Sequence, residues 1–133
     1  MKFSANLGFL WTDRALPDAI RAAKAAGFEA VECHWPYDHD VDAVASALRQ
    51  TGLPMLGLNT RRGQPGENGL SALSGREDEA RAAIDEALAY AQATDTGAVH
   101  VMAGFAQGAD AHATFAENLR YPCGHAQGRP ILI

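Results

Sequence analysis

The feature that most constrains this chain is a fourfold alternation of a short apolar run, a longer segment with apolar residues at helical spacing, and a closing glycine. Phe3 to Trp11 reads as a first strand. Pro17 then fits the first turn of a helix with Leu16, Ile20 and Ala23 on one side and Gly27 at its end. Phe28 to Trp35 is a second strand, followed by a helix from about Asp40 with Val41, Val44, Ala45 and Leu48 inward and Gly52 as its stop. Leu53 to Asn59 is a third strand, and Thr60 to Gly75 a long loop of a kind that commonly carries function. A third helix opens with Ser74 and Glu77 as a capping box, buries Ala80, Ile84, Leu88 and Ala91, and pairs Arg81 with Asp85 outside. Ala98 to Ala103 is a fourth strand. Ala111 to Tyr121 is a fourth helix with Phe115 and Leu119 inward, which Pro122, Gly124 and Gly128 should end early.

Strands alternating with helices are parallel βα units, so the fold class is α/β. Pro130 to Ile133 reads as the opening of a fifth strand. A closed (β/α)8 barrel takes about 250 residues, so four units and a strand start in 133 residues are expected to be a partial barrel. On that reading residues 1–133 are one N-terminal half, ending in mid-unit, and a truncation or a frame change in the gene is an expectation to test. An open flavodoxin-like sheet is the competing arrangement, and it would reverse the strand order where a barrel keeps it sequential.

With 47% hydrophobic and 20% charged residues, the composition is that of a globular protein. A net charge of −5 disfavours a nucleic-acid backbone or an anionic membrane as the main partner. Cys33 and Cys123 stand far apart, without a disulfide framework or a CxxC knuckle, and free thiols suggest a cytoplasmic setting. No apolar run approaches the length that crosses a bilayer, and the N-terminus does not read as a signal peptide.

Strand parity separates two chemistries. Ala5, Leu7, Phe9, Val31, Cys33, Trp35, Leu56, Leu58, Val99 and Val101 form an apolar set suited to packing under helices. The opposite parity collects Ser4, Asn6, Gly8, Glu32, His34, Gly57, Asn59 and His100. Polar groups on one parity of four strands point to an axial site, because a buried carboxylate or imidazole without a partner costs several kcal/mol. The plainer alternative is that these groups satisfy one another. Other signals are weaker. His34, His39, Asp38 and Asp40 have metal-ligand chemistry without metal-site spacing, Arg61 and Arg62 read as a surface pair, and Gly104 and Gly108 fit no phosphate-loop fingerprint.

Beyond these patterns, the segments FSANLGFLWT, AAGFEAVECHWPYD, LGLNT, GENGLSALSGRE, ALAYA, VHVMAG and ENLRY resemble the N-terminal half of the hydroxypyruvate isomerase family, within the xylose-isomerase-like TIM-barrel superfamily. GLSALSGRE together with VHVMAG is the specific part. The resemblance implies interconversion of hydroxypyruvate with 2-hydroxy-3-oxopropanoate (tartronate semialdehyde), or isomerisation of a related 2-oxo acid such as 2-oxotetronate. Such a reaction passes through an enediolate, which calls for a carboxylate base, a second acid or base, and a cation or donors for the oxyanion.

The family resemblance supplies those parts as two glutamates and a divalent metal, Mg or Mn, on later strands, so it implies no catalytic glutamate and no metal ligand before Ile133. What it carries over is a substrate wall: His100 as a hydrogen-bond donor, with Glu32, Asn59 and Asn6 as shaping or substrate groups. Cys33 and His34 depart from it, standing where the family tends to be bulky and apolar. A small 2-oxo or hydroxy acid is the expected partner, and a homo-oligomer formed through open barrel edges is the noncatalytic alternative. A nucleic-acid repair role within the same superfamily ranks last, because the acidic balance opposes it.

Overall fold

The computed structural model describes residues 1–133. In chain order the elements are β1 (Ser4–Asn6), α1 (Leu16–Ala25), β2 (Ala30–Glu32), α2 (Val41–Thr51), β3 (Leu58–Asn59), α3 (Glu77–Thr94), β4 (Val99–His100), α4 (Ala109–Cys123) and β5 (Ile131–Leu132). All five strands and the first three helices fall within the segments expected from the residue pattern, and α4 runs two residues beyond the expected Ala111 to Tyr121 at each end. The chain divides into two compact units, Met1–Leu58 with Tyr90–Ala98, and Asn59–Ala89 with Val99–Ile133.

In the first unit β1 and β2 run parallel, with Ser4 opposite Ala30, Ala5 opposite Val31 and Asn6 opposite Glu32. Val31 also bridges Met55 in parallel, so β2 lies between β1 and the approach to β3. Helix α1 carries Pro17 in its first turn and buries Leu16, Ala19, Ile20 and Ala23. Helix α2 is capped by Asp40, whose carboxylate accepts from the Ala43 amide at 2.8 Å, and ends at Gly52 in the left-handed conformation. The two helices pack on each other, and full burial of a side chain such as Ile20 contributes about 1.5–3 kcal/mol.

The second unit contains β4 and β5 in parallel, with Val99 opposite Ile131 and His100 opposite Leu132. The order of the sheet is β3-β4-β5. Strand order therefore follows chain order in both units, as a barrel wall requires and a reversing open sheet does not.

Several local expectations are corrected. The strands are two or three residues long, with loops taking the rest of each apolar run. Phe9 is 74% exposed, because the chain leaves β1 at Asn6 and turns, with the Phe9 and Leu10 amides both donating to the Asn6 carbonyl. Leu56 is exposed too. Buried Met55 and Leu58 lie three residues apart rather than two, so the alternation slips at Leu56 and Gly57. Ser74 does not cap α3; its hydroxyl pairs with Thr114 at 2.9 Å, while Glu77 reaches back to the Gly75 amide at 3.0 Å. Arg81 lies over the Tyr121 ring instead of pairing with Asp85, which accepts from the Tyr121 hydroxyl. In α4 the fully buried inward residues are Ala111, Asn118 and Pro122 rather than Phe115 and Leu119. Pro122 does not stop the helix, which continues to Cys123.

Candidate functional site

The polar residues singled out by parity fall into one group in each unit. In the first unit, Ser4 and Glu32 lie near each other on the paired strands β1 and β2, and the Ser4 hydroxyl donates to Glu32 Oε1 at 2.5 Å. At the end of β1 the Asn6 side chain is used at both ends. Its Oδ1 accepts from the Gly8 amide at 2.9 Å, an Asx turn that bends the chain out of the strand, and its Nδ2 faces His34 Nε2 at 3.1 Å. An amide donating to Nε2 leaves the proton of the neutral imidazole on Nδ1. A Cβ on Gly8 would lie within 2.7 Å of three His34 ring atoms, so the ring occupies the space that glycine leaves. The edge of Phe9 meets the same ring, with centroids 4.9 Å apart.

Behind them Cys33 is buried, and burial pushes its thiol up to about 11. It is held as a neutral, unreactive thiol at physiological pH. That agrees with its place on the apolar parity.

In the second unit, Asn59 closes β3 and His100 closes β4, and His100 Nδ1 lies 3.3 Å from Asn59 Oδ1. Both side chains are half-buried. Their surroundings are built by the long loop between β3 and α3, which is tied down along most of its length. The Thr60 amide donates to the His100 carbonyl at 2.9 Å, and the Thr60 hydroxyl accepts from the Met102 amide at 3.0 Å. Ser71 and Ala72 donate through their amides to the carbonyls of Met102 and Ala103. Asn118 reaches from α4 to donate to the Ser71 carbonyl at 2.9 Å while fully buried.

Gly69 sits at φ +116° against the end of β4, where a Cβ would lie within 2.6 Å of three Met102 atoms. Further out, Arg76 pairs with both Glu67 and Glu79, and the Glu67 carboxylate also accepts from the Gln64 amide. The Arg76 guanidinium, with that amide, holds the Glu67 carboxyl below the usual carboxylate range. Arg61 makes a two-pronged pair with Glu86 at 2.7 and 3.0 Å.

Sequence reasoning did not single out Thr60, Gly69, Ser71 or Asn118. The GLSALSG stretch carried the signal for the loop, but its docking depends on contacts between residues more than 30 apart in the chain. Nothing local to ENLRY marks Asn118 as a buried tether.

The model of the xylose isomerase-like TIM barrel family matches residues 20–133. The chain belongs to that family. It is 44% identical over 126 residues to a 2-oxo-tetronate isomerase of Pectobacterium atrosepticum, covering 90% of this chain and 48% of that protein. The hydroxypyruvate isomerase of Escherichia coli is 31% identical over 140 residues, covering 100% of this chain and 54% of the relative. Among solved structures, one described as an AP endonuclease, family 2, from Brucella melitensis superposes with a TM-score of 0.86 at 37% identity, covering 94% of this chain and 52% of that one. The chain spans about half the length of the curated relatives it matches.

For a family in which a divalent metal is expected, the donor set is the direct test. No group of three or more His, Cys, Asp or Glu side chains is arranged to hold a metal ion in this chain. Its residues do not fit such an ion, and no chemical step is derived through one.

Proposed function

We propose that this chain supplies the substrate-holding wall of an isomerase acting on a small 2-oxo or 2-hydroxy acid, with hydroxypyruvate and 2-hydroxy-3-oxopropanoate as the interconverted pair and 2-oxotetronate as the related alternative. The observation that carries the reading is the His100–Asn59 pair at the ends of two neighbouring strands, in a chain whose relatives are named for these isomerisations. Strand ends of this polarity are where barrels of this kind place their chemistry.

The pair has a defined task. With Asn59 Oδ1 facing the ring, Nδ1 carries the proton and Nε2 of the neutral imidazole is an acceptor, able to receive a hydrogen bond from a substrate hydroxyl. As an imidazolium the ring instead donates from Nε2 to a carbonyl or enediolate oxygen. Moving a proton between adjacent carbons requires that change of partner, because hydroxyl and carbonyl exchange places. Glu32 and Asn6 shape the wall of the first unit through Ser4 and His34. The base that abstracts the carbon-bound proton is not assigned to any of these residues. A divalent metal, Mg or Mn, remains part of the proposal for the family's full-length members, without ligands assigned here. The two unpaired thiols suit a cytoplasmic setting, and no helix is long and apolar enough to cross a membrane.

Titration with hydroxypyruvate, followed by NMR through the backbone amide resonances of Asn59, Thr60, Val101 and Met102 beside the pair, tests the reading. Saturable shifts that vanish in His100→Gln are expected. Absence of saturable shifts around the Asn59–His100 pair, or shifts there that His100→Gln leaves intact, overturns it. A turnover assay with added Mg²⁺ or Mn²⁺ is expected to stay at background, and turnover surviving exhaustive purification would move the base into these residues.

A second reading, a noncatalytic protein that associates through its sheet edges, is favoured by the exposure of Phe3 beside β1 and of Leu132 and Ile133 at β5. Sedimentation as a clean monomer at micromolar concentration would sink it. Nucleic-acid processing, which the description of the Brucella structure brings up, is the weakest reading, since a net charge of −5 repels a phosphate backbone.

A further inference from the structure

The loops that follow β1 and β2 enclose a recess of about 190 Å³ within the first unit. Its walls include Trp11, Arg14, Cys33, His34, Trp35 and His39. The charge of this lining is opposite to that of the chain. The protein as a whole carries −5, yet no Asp or Glu lines the recess, and its ionisable side chains are one arginine, two histidines and a thiol held neutral by burial. Arg14 takes part in none of the chain's ion pairs. A guanidinium beside two imidazoles and aromatic walls suits a small anion, because the walls lower the local dielectric and strengthen the attraction.

A second feature points the same way. Helix α1 begins at the recess, where Leu16 is both its first residue and part of the lining. Its N-cap is Ala15, with no side chain accepting from the first turn, in contrast to α2, which Asp40 caps. The one carboxylate in the first turn, Asp18, is engaged by Arg21 at 2.9 Å, so no side chain caps the positive end of α1 where it meets the recess.

We propose that this recess binds the carboxylate of a small organic acid, with Arg14 as the principal counter-charge, His39 and His34 as hydrogen-bonding partners, and Trp11 and Trp35 as the walls that bracket its carbon skeleton. The site is separate from the Asn59–His100 pair and does not depend on the isomerase reading, since it rests on residues of the first unit alone. Its selectivity follows from its chemistry. A planar carboxylate matches the two-pronged face of a guanidinium, and the aromatic walls favour an acid with a short carbon chain over a fully hydrated inorganic anion.

The chain provides its own reporter, because Trp11 and Trp35 are its two tryptophans and both line the recess. Glycolate is the probe, being the smallest 2-hydroxy acid and transparent at tryptophan wavelengths. Titration at constant ionic strength should give a saturable change in emission. Uncharged glycolamide should give none, and inorganic phosphate a dissociation constant at least several-fold weaker. Arg14→Gln, an exposed position whose loss leaves the fold intact by circular dichroism, should weaken glycolate binding about tenfold or more. His39→Gln should weaken it less. The proposal fails if glycolate and chloride act alike, if glycolamide binds as well as glycolate, if phosphate binds more tightly, or if Arg14→Gln leaves the titration unchanged. Because His100 plays no part, His100→Gln should titrate with glycolate like the parent chain, which separates this outcome from that of the hydroxypyruvate experiment.

Discussion

The loop after β3 and the loop after β1 both follow the end of a strand, but they are held in opposite ways. Residues 60–75 are fastened by backbone hydrogen bonds to the end of β4, by the Asn118 tether and by the Arg76 clamp on Glu67 and Glu79. Residues 7–15 are held by one Asx turn, three turn hydrogen bonds, the Leu7 amide on the Glu32 carbonyl and aromatic edges, with Trp11 at φ +55° and an open recess beneath. A left-handed non-glycine residue costs on the order of 1–3 kcal/mol, and such residues gather where binding matters more than stability. The contrast teaches that one rim is specified by polar groups that lock backbone to backbone, while the other keeps polar side chains turned to a space a ligand can enter.

Gly69→Ala is the severest test of the fastened rim. The new methyl would meet the Met102 backbone, and the φ of +116° is one that alanine rarely adopts. A loss of about 3–5 kcal/mol is expected, read as a lowered urea midpoint. A loss under about 1 kcal/mol would mean that the loop can lift off β4 freely, and the contrast between the rims would collapse.

Asn118→Ala comes next. It removes the donor to the Ser71 carbonyl inside a closed environment, together with a side-chain oxygen that is buried without a partner. Losing a buried hydrogen bond costs about 1–3 kcal/mol, and relief of the unpaired oxygen offsets part of it. Amide hydrogen exchange should rise at residues 69–73 before it rises elsewhere. Uniform loss of protection would show that Asn118 supports the whole unit rather than this loop.

On the open rim the counterpart is Gly8→Ala. Its Cβ would collide with the His34 ring, a side chain that can swing away, so a cost of about 1–2 kcal/mol is expected. The larger effect should be local, as the Asn6–His34 contact breaks and Trp35, whose ring centre is 5.1 Å from that of His34, changes its emission. Unchanged emission would show that the His34 ring is not fixed by the space over Gly8.

How much of this was legible from the residues depends on whether the information is local. Pro17, Asp40, Gly27 and Gly52 set their helix ends as read, because a cap or a left-handed glycine acts within one turn. The parity of β1, β2 and β4 was legible from period-two patterning, and it brought out Ser4 with Glu32, Asn6 with His34, and Asn59 with His100. Leu56 was misread because a slip in register leaves no mark on a run of apolar residues and glycine. Ser74 and Arg81 were misread because tertiary partners, Thr114 and Tyr121, outcompete the helical neighbours on which a local rule depends. The recess was hidden for a similar reason: Arg14, His39 and the two tryptophans come from separate loops, and only the fold gathers them.

The smallest effect expected concerns acid, and it tests whether the charge clamp belongs to the fastening at all. Arg76 holds the carboxyls of Glu67 and Glu79 below their usual value of 4.5. A carboxyl whose folded pKa is depressed contributes stability that is fully present above its unfolded pKa and is lost as pH falls through the folded one. The clamp should therefore support the fold at pH 5 and above, and fade below about 4.5. Because its groups are open to solvent, the contribution is small and screened by salt. Arg76→Gln should lower the urea midpoint slightly at pH 6, and parent and variant should converge as pH falls toward 3. If the difference instead persists at pH 3, Arg76 acts through packing of its aliphatic stem, and the fastening of residues 60–75 rests on Gly69, Thr60 and Asn118 without the clamp.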